Sequence, residues 1–96
     1  ATEYYLKASK LGDLEAMGNL AVHYLDSDSE DQQKEAIKWL ETAAQQDHAY
    51  SLYVLGFSYN EGNGVKKDKT KALEYLEKAK KLGNTDADLL LMQLKK

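Results

Sequence analysis

The sequence predicts an all-α fold: a right-handed α/α superhelix, or solenoid, of about two and a half to three helix-hairpin repeats. Three observations predict it. Apolar residues recur at helical spacing along nearly the whole chain, and no strand-like alternation survives a count. The chain has no proline, which leaves its helices uninterrupted. The sequence also repeats itself. Residues 36–56 lie over residues 72–92 at an offset of 36, and residues 1–21 lie over residues 36–56 at an offset of 35. Ala1, Ala36 and Ala72 coincide, as do Ala8, Ala43 and Ala79. Gly12, Asp47 and Gly83 meet at the turn, and Leu20, Leu55 and Leu91 meet in the helix that follows. A single hairpin cannot bury its own apolar stripe, so a two-helix period of about 35 residues implies neighbours that stack.

The elements follow in order. Residues 2–11 form a first helix with Tyr5, Leu6, Ala8 and Leu11 inward, closed by Gly12. Asp13 caps a second helix that reaches Leu25. DSDSEDQ, residues 26–32, is a loop. A third helix spans residues 33–46, with Ala36, Leu40, Ala43 and Ala44 at spacings of three and four. A fourth, capped by Asp47, starts near His48 and runs to Asn60. EGNGVKKD, residues 61–68, is the next loop. A fifth helix covers residues 70–82 and ends at Gly83, where a left-handed residue is easiest. A sixth starts at Asn84, Thr85 or Asp86. The expected organisation is one domain over residues 1–96: a partial unit 1–12, units 13–47 and 48–83, and a terminal helix 84–96.

The stretch LGFSYNEGNGVKKDKTKALEYLEKAKKLG, residues 55–83, resembles the Sel-1-like repeat, a relative of the tetratricopeptide repeat with a longer inter-helix loop. The residues that carry the resemblance are Leu55-Gly56, Tyr59, Gly62, Gly64-Val65, Asp68, Lys71-Ala72, Tyr75, Lys78-Ala79 and Gly83. It covers the chain unevenly: the first loop lacks Gly-x-Gly-Val, Ala21 replaces the helix glycine, and Met92 replaces it again. The resemblance implies a non-enzymatic module that binds other proteins, with the outer face of each unit's first helix lining a concave groove.

The glycines read as structural. A phosphate loop places its glycines between a strand and a helix and follows them with Lys-Ser or Lys-Thr; here a helix precedes the loop and no such pair follows. Gly62 and Gly64 are expected to take positive φ and reverse the chain, with Val65 tucked back onto the hairpin. Gly56 sits inside a helix, where glycine costs about 1 kcal/mol relative to alanine. Close packing of Leu76 or Ala79 against its bare backbone is the expected offset.

Composition narrows the function. With no cysteine, disulfides and thiolate metal sites are excluded, and no compartment is fixed. The apolar runs are too short to span a bilayer, and no signal-peptide pattern is legible. Residues 1–48 hold four lysines against ten acids, and residues 49–96 hold nine against six. Those lysines alternate with acids and arginine is absent, which argues against a nucleic-acid surface. His23 and His48 lie on different helices without ligand spacing, and no nucleophile elbow exists, so no catalytic or metal residue and no cofactor is assigned. The acidic stretch from Asp26 resembles the start of a calcium loop but lacks its glycine, and Ile37 stands where the twelfth-position glutamate belongs.

The candidate site is an aromatic stripe. At about 100° per residue, with Tyr50 at zero, Leu52, Leu55, Gly56 and Tyr59 cluster on one side as core. Tyr53 and Phe57 fall with Tyr50 on the other side, and Asn60 and Glu61 extend that stripe. The matching positions one unit earlier are Glu15, Gly18 and Val22; one unit later they are Asp86, Leu89 and Gln93. The expected partner is a peptide or helix of another protein, anchored by Tyr50, Tyr53, Phe57 and Val22 and oriented by Glu15, Asn60 and Glu61. Competing readings have Tyr50 and Tyr53 packing between first helices, or the chain serving as a spacer in a longer repeat protein. A small-ligand or hydrolytic protein is a further alternative. Trp39, which matches Tyr4 and Tyr75, is expected to pack between repeats.

Overall fold

The computed structural model describes residues 2–95. Six helices follow one another: α1 (Thr2–Lys10), α2 (Leu14–Leu25), α3 (Glu30–Gln45), α4 (Ala49–Glu61), α5 (Lys69–Lys81) and α6 (Thr85–Leu94). No strand occurs among the described residues. Each helix packs on its chain neighbours, and α2 also meets α4 directly. The result is an all-α repeat solenoid measuring 40 × 26 × 19 Å. One row holds α2, α4 and α6; the other holds α1, α3 and α5.

Side-chain oxygens start four of the helices by accepting an N–H that has no partner inside the first turn. Asp13 accepts from the Ala16 N–H at 3.0 Å, and Ser29 from Gln32 at 3.3 Å. Asp68 accepts from Lys71 at 3.1 Å, and Asn84 from Ala87 at 2.8 Å. Ser29 corrects the expected start of α3. The helix begins at Glu30 rather than Gln33, because Glu30 and Asp31 fall in a first turn where the helix dipole favours carboxylates.

One turn recurs after α1, α3 and α5. The N–H groups of Asp13, His48 and Asn84 donate to the carbonyls of Ala8, Ala43 and Ala79 at 3.1, 3.2 and 3.0 Å. One residue earlier, Gly12, Asp47 and Gly83 donate to Ser9, Ala44 and Lys80 at 3.0, 3.0 and 2.9 Å. This paired closure needs a left-handed residue, and φ is +94°, +58° and +96° at the three positions. Asp47 is therefore the turn residue of α3 and not the cap of α4. His48 holds the cap position instead, without a side-chain bond to the α4 backbone.

The core lies between the two rows. Leu20, Leu40, Leu52, Leu55 and Leu76 are fully buried, each contributing roughly 1.5–3 kcal/mol relative to exposure. Ala36, Ala43, Ala72 and Ala79 have no exposed surface and keep the helices close. Gly56 allows the closest approach: a Cβ there would sit 2.8 Å from Leu76 Cγ and 3.1 Å from the Ala72 carbonyl oxygen. Leu76 is thus the packing partner, and Ala79 is not among those nearest atoms. At Gly64, with φ +79°, a Cβ would meet the Gln33 carbonyl oxygen at 2.8 Å, so the α4–α5 loop also presses on the preceding unit. Tyr59 stacks on Tyr75 with centroids 5.7 Å apart, and the Lys71 ammonium lies 5.4 Å from the Tyr59 ring centre.

Two expectations at α1 are corrected. Leu11 is 82% exposed, because α1 ends at Lys10 and Leu11 falls in the turn. Tyr4 is 69% exposed and leans edge-on against Tyr5 instead of sharing the packing of its repeat counterparts Trp39 and Tyr75, which pack on the core.

Gly56→Val is expected to lower stability in urea unfolding by about 1–3 kcal/mol or more. Leu76→Ala alone should cost about 2–5 kcal/mol. Because the two side chains compete for one space, the double variant should lose clearly less than the sum; strict additivity would show that they do not meet.

Asp47→Gly should raise stability by up to about 1 kcal/mol, since relief of the left-handed strain outweighs an exposed ion pair. That pair joins Asp47 and Lys78 at 3.4 Å. Asp47→Ala should lower stability; equal midpoints for the two variants would refute the strain.

Candidate functional site

α4 is the central helix, packed by α2, α3 and α5, and its burial extends round most of its circumference. Leu52, Leu55, Gly56 and Tyr59 are buried as their spacing predicts. Ser51, Val54 and Ser58 are buried as well, because α2 covers a second side. Ser58 satisfies its hydroxyl by donating to the Val54 carbonyl at 2.9 Å. The α2–α4 approach is close at Gly18, where a Cβ would stand 2.9 Å from Tyr50 Cδ2 and 3.3 Å from Ser51 Oγ. Tyr50 therefore fills the space a side chain at 18 would occupy, and one edge of its ring belongs to the joint between units.

The rest of the stripe faces outward. Tyr53 is half-buried and Phe57 is 40% exposed, with ring centres 6.5 Å apart. With Tyr50 and Val54 they form one wall of a depression of about 280 Å³; Val22 and Leu25 of α2 form the other. Asp26 and Asn63 stand at its polar edge. Tyr50, Tyr53, Phe57 and Val22 are thus brought together. Glu15, Asn60 and Glu61 do not line this depression: Glu15 turns to His48, and the Asn60 amide donates to Glu61 at 2.9 Å. Leu25 and Asp26 also line the depression, outside the aromatic stripe. Their signal was in the repeat, since at an offset of 35 they are the counterparts of Asn60 and Glu61.

His48 clasps the two units. Its Nε2 meets Glu15 Oε1 at 3.1 Å and its Nδ1 meets Ser51 Oγ at 2.7 Å, while its ring stands edge-on to Tyr50 with centroids 6.4 Å apart. Hydroxyl, imidazole and carboxylate are linked in series, a connectivity that hydrolases use. Here Ser51 has no exposed surface, so no substrate reaches its oxygen. The series orients Tyr50 and ties α4 to α2.

A larger hollow, about 560 Å³, lies where α1 meets α3 beside Leu6, Tyr24 and Trp39, fringed by Lys10 and Lys38. The Trp39 indole N–H is buried there without a partner. Among the described residues no cluster of three His, Cys, Asp or Glu side chains could hold a metal ion. No helix of the described chain is long and apolar enough to cross a membrane.

Stacked antiparallel hairpins with a period of about 35 residues and a recurring left-handed turn define an α-solenoid repeat protein. The Sel1 repeat model matches residues 1–13, 14–48 and 49–84, and the chain belongs to the Sel1 repeat family. Solved structures share the fold, among them the following two. One is a protective antigen present in uropathogenic Escherichia coli strains and displaying an SLR fold, 32% identical with a TM-score of 0.92. The other is a Sel1 repeat protein from Oxalobacter formigenes, 36% identical with a TM-score of 0.82. The alignments cover 98% and 96% of this chain but only 20% and 27% of those proteins. No curated protein sequence matches the chain. Sel1 repeats are generally a non-enzymatic, protein-interaction fold.

Burial holds the Tyr50 phenol above its ordinary range, and Tyr53, Glu15 and Asp86 add to the effect. Burial and then Asp86 raise Tyr53; burial, Tyr59, Glu41 and Glu74 raise Tyr75. A raised folded-state value means that the unfolded chain releases these protons first. The stabilisation is complete below about pH 10 and is lost as pH climbs through the folded values. Tyrosinate absorbance in the folded protein should therefore lag behind that of the urea-unfolded chain, and the unfolding midpoint should fall above about pH 10; superimposed titration curves would contradict this.

Proposed function

We propose that this chain is a non-enzymatic adaptor module, spanning residues 1–96, that holds a segment of another protein in the groove between α2 and α4. The observation that carries the reading is the exposed aromatic wall. Tyr53 and Phe57 stand on the outer side of a helix whose remaining sides are buried, and Phe57 stays 40% exposed. Rings of this size are costly to leave in water and are efficient anchors when a partner covers them. Val22 supplies the facing wall. Glu15 at the start of α2 and Asn60 and Glu61 at the end of α4 lie outside the depression and are the polar groups a longer partner segment would reach. Positive φ at Gly12, Asp47 and Gly83 supports reading the units as divided at 12/13, 47/48 and 83/84.

Phe57→Ala should leave thermal unfolding within about 1 kcal/mol of the parent, because its exposed ring lies outside the core, whereas Tyr53→Ala should cost more, because its half-buried ring packs against the core. Tyr50→Ala should cost about 2 kcal/mol, because its ring fills the Gly18 joint. In crosslinking pull-downs, a partner retained by the parent chain should be lost from Phe57→Ala while that variant remains folded. Retention of the same partner by Phe57→Ala and Tyr53→Ala would remove the groove from the interaction. A monodisperse chain that captures nothing in either form would favour a spacer segment.

A further inference from the structure

The two rows of helices differ in charge. α2, α4 and α6 contain no lysine. They carry Glu15, Glu61, Asp86 and Asp88, and Asp13 and Asp26 flank α2. The lysines of the described chain sit on α1, α3 and α5 and in the loop before α5, apart from Lys95 just past α6. Lys95 is turned back to the other row, where its ammonium meets Glu77 of α5 at 2.7 Å. The aromatic groove opens on the row without lysines.

One carboxylate borders the groove, and two more lie outside it on the Tyr50 side. Asp26 lies on its edge, and among the described residues it has no ion-pair partner. Asp86, in the first turn of α6, is likewise unpaired among the described residues, and its charge adds to the burial that raises the Tyr50 and Tyr53 phenols. The Glu15 carboxylate touches His48 yet keeps 76% of its side-chain surface in water. An acidic rim around aromatic rings attracts cations twice over, through the carboxylates and through the ring faces. It repels an acidic partner by the same fields.

We propose that the groove takes an extended segment of another protein in which an apolar side chain is flanked by lysine or arginine. The apolar anchor enters between Val22, Leu25 and Phe57, and the basic flanks reach Asp26 on one side and the Glu15–Asp86 side on the other. Arginine suits the second position best, because its planar guanidinium both stacks on a ring and pairs with a carboxylate. This inference rests on the groove reading above and adds the chemistry of the occupant.

The test uses the full chain and short labelled peptides, followed by fluorescence anisotropy. The probe carries one phenylalanine between arginines. One control replaces the arginines by glutamates, and another replaces the phenylalanine by glycine. The probe should bind at least about tenfold more tightly than the glutamate peptide, and should weaken as salt rises. Asp26→Asn and Asp86→Asn should each weaken it by up to about fivefold, the range of an exposed charge pair. Both substitutions should weaken the glycine control as well, because it keeps the arginines, and Phe57→Ala should abolish the difference between phenylalanine and glycine probes. Equal binding of the basic and acidic peptides, both lost in Phe57→Ala, would overturn the charge requirement and leave the groove reading standing. Basic-peptide binding indifferent to Phe57→Ala would overturn the proposal by placing the contact elsewhere. Failure of every peptide to bind would also overturn it. So would a dimer, seen by sedimentation and dissociated by Phe57→Ala, since a second copy would then fill the groove. In both cases the pull-down with Phe57→Ala reports separately on the groove.

Discussion

Leu76 packs on the bare backbone of Gly56, and that contact sets the spacing of the α4–α5 hairpin. Two helices that meet through ordinary side chains run about 8–10 Å apart. A glycine on one of them lets the partner's leucine sit against main chain. The geometry around it depends on that approach. Tyr59 can then stack on Tyr75, and Ala72 and Ala79 close over the same seam with no surface left in water. With its α5 side consumed in this way and α3 on another flank, α4 is left with a strip for α2 and a strip for solvent. The groove is what remains of a helix otherwise claimed by its neighbours.

The three left-handed turns show why such repeats are readable from sequence and where reading stops. Helix phase, hairpin order and the unit period follow from apolar spacing, because burial enforces that spacing in every unit. Gly12 and Gly83 advertise their turns, since glycine carries no penalty at positive φ. Asp47 performs the same backbone task, but aspartate is also the commonest sign of a helix start, and the two roles sit one residue apart. Only the register between repeats separates them. Ser29 poses the converse difficulty: an acidic run looks like a solvated loop until a hydroxyl caps it, and then the same carboxylates fall on the favourable end of a helix dipole.

Part of the site was legible for a similar reason. Tyr50, Tyr53 and Phe57 emerge on one face because a helix turns by a fixed angle per residue, and Val22 follows from the repeat offset. Contacts between units are harder to read. Ser51 is a small polar residue with no apolar signature, yet it has no exposed surface because Gly18 brings α2 close. The link from Ser51 through His48 to Glu15 joins residues 33 positions apart at its far end, and no local pattern announces it. Charge segregation was hidden too. Counted along the chain, the acids crowd the first half; sorted by row, the lysines leave the grooved side altogether.

Tyr50 belongs at once to the groove wall and to the seam between α2 and α4, where its ring occupies the room that Gly18 leaves open. The tilt of one hairpin against the next and the width of the cleft are therefore not independent quantities. Whatever shifts this ring changes both, and a ligand seated beside it would feel the curvature of the solenoid as part of its own fit.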